Sequence, residues 1–278
     1  MFKRLLVPVD GSTYSETSLD YAILFAKKYK AQINILHIID KKVVAGNFLI
    51  DLGSMTGAAP YFNLKKDITK ILEEKSKFVI KVFGNKCKNS KVKYTSKVIE
   101  GIVSKEIISE SMLNDIIIMG QLGENAKLSH ALLGSTLETV VRKTTKPILI
   151  TTEKMFPVTN VLLAYDGSPA TKNALKYTAE LVKELKLKLN IIASFDSKTQ
   201  GNRILQEALN YFKSYKIKPK AFLESGTPAE DIINKIKVVK ANFCIMGFHG
   251  HNRIRELILG STTEEVIRKI SIPALLLH

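Results

Sequence analysis

"LLVPVDGSTYSETSLDYAILFAKKYKAQINILHII" (residues 5–39) and "LLAYDGSPATKNALKYTAELVKELKLKLNIIASF" (residues 162–195) are two copies of one pattern. Asp10 falls on Asp166 and Asn34 on Asn190 at a single offset, so no gap interrupts the match. Farther along, "LGSTLETVVRKTTKP" (133–147) repeats as "LGSTTEEVIRKISIP" (259–273), with Gly-Ser-Thr, Arg-Lys and Pro in register. Self-similarity of this length marks a tandem duplication. The seam falls near "TTEKMFPVTN" (151–160), which is short and polar and contains a proline, as a linker should. Domains of residues 1–153 and 158–278 follow.

Each copy alternates buried strand and helix. "KRLLVPV" is an apolar strand, and Ser12 or Thr13 can cap the helix after it, Thr13-x-x-Glu16 having the capping-box pattern. In the second copy Ser168 takes the cap and Pro169 the first helical position, where a missing N–H costs nothing. "AQINILHII" and "KLNIIASF" are second strands; helices are predicted near 64–82 and 201–214, then strands at "VKYTSKV" and "KPKAFLE". Gly101 and Gly226 lead into third helices, and "DIIIMG" and "NFCIMG" read as fourth strands buried on both faces. A last helix from each Gly-Ser-Thr leads to "KPILIT" or "IPALLLH". Parallel neighbours need crossovers, so the fold class is α/β: two tandem Rossmann-like domains, each a five-stranded, parallel, doubly wound sheet with helices on both faces. The copies differ in one place, a long loop over about residues 40–63 in the first, which is either a lid or a surface insert.

Composition sets limits on function. Of 278 residues, 45% are hydrophobic and 24% charged, which are globular proportions. The net charge of +16 favours anionic partners, although most lysines fall on polar helix faces where solvation accounts for them. Cys87 and Cys244 have no CxxC or metal-ligand spacing, and Cys244, inside the apolar run "NFCIMG", reads as a reduced, buried thiol. No apolar run has the length of a membrane span or of a signal peptide, which places the chain in the cytoplasm with no membrane partner.

Open α/β sheets bind ligands at the carboxyl ends of their strands. Asp10 and Asp166 end the first strands. Gly120 and Gly247, each preceded by a methionine (Met119, Met246), end the fourth; Gly134-Ser135-Thr136 and Gly260-Ser261-Thr262 open the last helices. A Gly-x-x-Gly turn, completed by Gly123 or Gly250, lets backbone N–H groups converge on phosphate oxygens. The helix N-terminus adds free N–H groups and a positive dipole end, and the hydroxyls add donors. A carboxylate at Asp10 or Asp166 can accept from a ribose hydroxyl or an exocyclic amine.

In these features the chain resembles the universal stress protein family in its tandem form, over nearly its whole length. The family's nucleotide pattern is Gly, two residues, Gly, nine residues, then Gly-Ser or Gly-Thr. Gly247, Gly250, Gly260 and Ser261 fit it without adjustment, while ten residues separate Gly123 from Gly134 in the first copy. The resemblance implies ATP, with Mg²⁺ carried on its phosphates, as the ligand of a stress-response module. It also places Val9 and Ile38, or Tyr165 and Ser194, beside the base, with Met119 and Met246 in the same sites. Pairing of the two halves through their last strands, and association of two chains as a homodimer, are implied by the same resemblance.

Rival readings are weaker. His249 and His251 sit in a glycine-flanked loop with no nucleophile spaced beside them, and His37 reads as a packed core histidine. Arg253 and Arg255 either reach a triphosphate or are solvated. The absence of GxxxxGK[ST] excludes a P-loop enzyme, so nucleotide binding ranks above efficient ATP hydrolysis. Slow hydrolysis or self-phosphorylation on Ser135, Thr136, Ser261 or Thr262 is one alternative. A basic nucleic-acid binder, whose affinity would fall steeply with salt, is another and ranks below both.

Overall fold

Among the described residues nine elements build each half, and most of the strands are short, buried apolar runs. In the first half these are β1 (Arg4–Pro8), α1 (Thr13–Tyr29), β2 (Gln32–Asp40), α2 (Ala58–Asn89), β3 (Tyr94–Gly101), α3 (Val103–Ser111), β4 (Ile116–Gly120), α4 (Ser135–Lys143) and β5 (Ile148–Thr151). The second half has β6 (Asn160–Ala164), α5 (Pro169–Leu185), β7 (Lys188–Ser194), α6 (Lys198–Ser214), β8 (Lys220–Glu224), α7 (Pro228–Val238), β9 (Phe243–Gly247), α8 (Ser261–Lys269) and β10 (Ala274–Leu277). The computed structural model describes residues 2–41, 58–124, 133–247 and 259–278, with the side chains of α2 described from residue 67 onward.

All ten strands form one sheet in the order β3-β2-β1-β4-β5-β10-β9-β6-β7-β8. Neighbours run parallel except at the centre, where Ile148, Leu149 and Ile150 pair antiparallel with Leu276, Leu275 and Ala274. Every residue of β5 and β10 is buried. The helices cover both faces, and two apolar layers result. One holds Phe2, Leu5, Phe25, Leu163, Leu175 and Phe212; the other holds Leu6, Ile117, Val140, Leu162, Cys244 and Val266. Both layers draw from both halves, so the core does not divide at the seam.

The Asp-Gly-Ser turns after β1 and β6 start the next helix in the same way. Asp10 Oδ1 accepts the Ser12 N–H at 2.9 Å, and Asp166 Oδ1 accepts that of Ser168 at 2.9 Å. The intervening Gly11 and Gly167 have φ of +90° and +75°, a region that strains any residue with a Cβ. Ser12 and Ser168 then stand at the caps, and their hydroxyls accept from Ser15 N at 3.2 Å and Thr171 N at 3.4 Å. This settles the first cap on Ser12. Thr13 is already the first helical residue, so the Thr13-x-x-Glu16 box does not form. Two helices also exceed their expected bounds: α2 begins at Ala58 rather than near 64 and runs to Asn89, and α6 begins at Lys198 because Ser197 caps it. Residues 42–57 of the long first-half loop lie outside the described residues.

His37 is buried, with Nδ1 2.7 Å from the carbonyl oxygen of Val9, and so belongs to the packed interior. Cys87 and Cys244 are free and buried, and burial pushes the Cys244 thiol up to about 12. It stays protonated and unreactive in the fold.

The short connection between β5 and β6 is tied to α1 by Thr17, whose hydroxyl donates to the Glu153 carbonyl at 2.7 Å, and by Tyr21. The Tyr21 hydroxyl donates to the Phe156 carbonyl at 3.0 Å and accepts the Phe156 N–H at 2.9 Å. Tyr21→Phe removes both bonds while keeping the ring, and should cost about 1–3 kcal/mol. Urea denaturation of the two proteins measures this; an unchanged midpoint would show that the linker is not held there.

Candidate functional site

Within each half the chain leaves the first strand in one direction (β1, β2, β3) and the fourth in the other (β4, β5). The carboxyl ends of β1 and β4 therefore border a crevice, as do those of β6 and β9. A cleft of about 680 Å³ occupies the first crevice. It is lined by Val9, Asp10 and Ile38 from the ends of β1 and β2, by Met119, Gly120 and Gly123 from β4 and its loop, and by Gly134, Ser135 and Thr136 from the start of α4. A cleft of about 310 Å³ occupies the second. Its walls are Tyr165 and Asp166 after β6, Ser194 at the end of β7, Met246 and Gly247 of β9, and Gly260, Ser261 and Thr262 at the start of α8. Gly250, and with it His249, His251, Arg253 and Arg255, lies outside the described residues.

The first cleft is latched by charge. Asp10 Oδ2 accepts the Glu124 N–H at 2.8 Å, and Lys75 Nζ on α2 holds the Glu124 carboxylate at 2.5 and 2.6 Å. Both Asp10 oxygens therefore accept from backbone, yet a carboxylate has about four lone-pair sites and keeps capacity for a ligand hydroxyl. In the second cleft Asp166 Oδ1 also accepts from Thr171 Oγ1 at 2.7 Å, and Thr263 Oγ1 donates to the Gly247 carbonyl at 3.0 Å. Ser194 Oγ donates to Asp231 Oδ2 at 2.5 Å. Tyr165 borders this cleft, but its ring packs in the core and its phenol donates to Glu207 on α6 at 3.0 Å. Burial, then that bond, raises the phenol's pKa.

The helix starts are built to leave donors free. Ser12, Ser168 and Ser197 cap α1, α5 and α6; α3, α7, α4 and α8 have no side-chain cap bond, and of these α4 and α8 have glycine at the cap, Gly134 and Gly260. The starts of α4 and α8 line the clefts, which therefore meet the positive ends of these helix dipoles. The glycines divide by function. A Cβ on Gly120 would stand 2.5 Å from Tyr14 Cβ, and one on Gly247 would stand 2.9 Å from Thr171 Cγ2. These two let α1 pack onto the end of β4 and α5 onto the end of β9. A Cβ on Gly123 would fall 2.8 Å from Asp10 Oδ2, whereas at Gly134 the nearest atom is 3.5 Å away.

Several wall residues escape sequence reading. Leu72 and Ser76 of α2 line only the first cleft, because α2 is 32 residues long against 17 for α6. Arg268 lines the first cleft from the other half of the chain. The Arg-Lys pairs at 142–143 and 268–269, in register in the repeat, were its trace, but no spacing shows that one copy crosses to the other's cleft.

The model of the universal stress protein family matches residues 1–152 and again 157–278. The chain belongs to the universal stress protein family. A relative in that family, the universal stress protein Slr1230 of Synechocystis, is 28% identical over 98% of this chain and 99% of its own length. The universal stress protein MJ0577 of Methanocaldococcus jannaschii is 30% identical and aligns with 55% of this chain and 97% of itself, one copy of the repeat. Among solved structures, a universal stress protein from Archaeoglobus fulgidus superimposes with a TM-score of 0.77 at 27% identity, covering 98% of this chain and 97% of that one.

The two kinds of glycine should separate experimentally. Gly120→Ala forces α1 from β4 and should destabilise the fold by about 1–3 kcal/mol, whereas Gly134→Ala should cost less than about 1 kcal/mol. Denaturant midpoints decide, and the reverse order would contradict the packing role given to Gly120.

Proposed function

We propose that this universal stress protein binds an adenine nucleotide, ATP with Mg²⁺ carried on its phosphates, and that occupancy of the site is what its stress-response role reads. The supporting observation is convergence: within one cleft stand apolar walls for a base, a carboxylate for a ribose, and an uncapped helix start for phosphates. Val9, Ile38 and Met119 supply the walls, and Asp10 retains acceptor capacity. The N–H groups at the start of α4 and the hydroxyls of Ser135 and Thr136 supply donors. The repeat places Tyr165, Asp166, Ser194, Met246, Gly247, Gly260, Ser261 and Thr262 around the second cleft in the same order.

Volume favours the first cleft as the principal site. Ligand pockets run from about 300 to 1,000 Å³, so about 680 Å³ sits well inside that range and about 310 Å³ at its lower limit. The motif spacing favours the second copy, but spacing describes the phosphate turn alone and says nothing of the room for a base. In this reading residues 1–153 and 158–278 are the two site-bearing units. A cytoplasmic location and a homodimer of chains complete it, both resting on family membership; among the described residues no helix is long and apolar enough to cross a membrane.

Heat or acid denaturation of purified protein, followed by chromatography, counts bound nucleotide per chain. The expected result is an adenine nucleotide released, or ATP bound on titration of nucleotide-free protein, with Gly134→Val abolishing the larger share. No nucleotide released and no binding on titration would overturn the proposal.

A further inference from the structure

The helices α4 and α8 meet where β5 pairs with β10, and four charged residues join them. Arg142 on α4 pairs with Glu264 on α8 at 3.0 Å, and Arg268 on α8 pairs with Glu138 on α4. Arg268 also reaches Glu264, one turn away on its own helix, at 3.0 Å. Glu138 and Arg142 occupy in the first copy the positions of Glu264 and Arg268 in the second, so the contact is self-complementary, as across a two-fold axis. Gln121, in the loop after β4, adds a bond from Nε2 to the Ile267 carbonyl at 2.9 Å.

The symmetry fails at the clefts. Arg268 and Glu138 line the first cleft together with Ser135 and Thr136, while Arg142 does not line the second. Among the described residues the one charged group lining the second cleft is Asp166. The first cleft therefore has a guanidinium from the opposite half beside its uncapped helix start.

We infer that Arg268 is the residue by which the first cleft distinguishes a nucleoside triphosphate from shorter phosphate chains, an inference that rests on the nucleotide reading above. Phosphate oxygens held at Ser135 and Thr136 lie one helical turn from Glu138, whose negative charge opposes any further phosphate. A chain of three can extend there only if a cation offsets that charge, and Arg268 is already in contact with Glu138. Guanidinium binds phosphate and carboxylate through the same two-donor fork. The Arg268 side chain is about one-third exposed, so it can exchange partners without leaving water. A terminal phosphate thus competes with Glu138 for Arg268, and a monophosphate is too short to enter that competition.

Titration calorimetry of the full chain with ATP, ADP and AMP tests this in wild type, Arg268→Gln and Glu138→Gln. Arg268→Gln should lower the ATP-to-AMP affinity ratio on the order of tenfold. Glu138→Gln removes the competing carboxylate beside the phosphate site, leaving Glu264 on Arg268's own helix, and should raise that ratio, and Arg268→Lys should recover part of it. A ratio unchanged in Arg268→Gln, or ATP and AMP weakened equally, would overturn the role of Arg268. If thermal melting shows Arg268→Gln unfolded, Glu138→Gln decides alone, and an unchanged or lowered ratio there overturns the inference. Failure of the wild type to bind any of the three nucleotides overturns the nucleotide reading itself, which separates that failure from one of Arg268 alone.

Discussion

The antiparallel contact between β5 and β10 organises the molecule. Each strand is four residues long and wholly buried, and each closes a half whose sheet would otherwise end in an apolar edge. Joining them turns two five-stranded sheets into one of ten and runs both apolar layers across the join. Burying a leucine or isoleucine is worth roughly 1.5–3 kcal/mol, so the residues of these two strands outweigh the surface ion pairs around them. The same contact sets α4 beside α8 and fixes the distance from each half's helix start to the other half's charges.

From that geometry follows an asymmetry within a duplicated chain. The two copies share the Asp-Gly-Ser turn, the serine cap and the glycine-capped last helix. They differ in what encloses the crevice: the long α2 contributes Leu72 and Ser76 to the first cleft, and Arg268 crosses the join to reach it. The second cleft keeps the backbone plan in less than half the volume, with Ser194 turned to Asp231. Duplication supplied two equivalent frames, and substitutions outside the shared motifs specialised the walls.

What could be read from the chain alone follows from which interactions are local. The succession of strands and helices within a half, the turns after β1 and β6 and the Ser168-Pro169 helix start depend on neighbouring residues, and the repeat allowed the pattern to be read twice. The same holds for the grouping of Asp10, Gly120 and Gly134, because a doubly wound sheet brings strand ends and helix starts to one edge. Features set by long-range packing were not legible. Position beside Asp166 did not show that the Tyr165 ring turns to Glu207. The close approach of Tyr14, which requires glycine at Gly120, was likewise hidden. Thr13-x-x-Glu16 suggested a box that the Asp10 turn forestalls by placing Ser12 at the cap. Arg268 is the clearest case, since its position depends on the join between halves that are far apart in sequence.

In the proposed function the crevice between β1 and β4 is a nucleotide site completed from the other half of the chain. Diffraction from crystals grown with ATP and Mg²⁺ tests it most directly. The expected map shows a base against Val9 and Ile38, phosphates at the start of α4, and Arg268 on the terminal phosphate. Nucleotide bound away from this crevice, or a crevice that stays empty at saturating ATP, would contradict it.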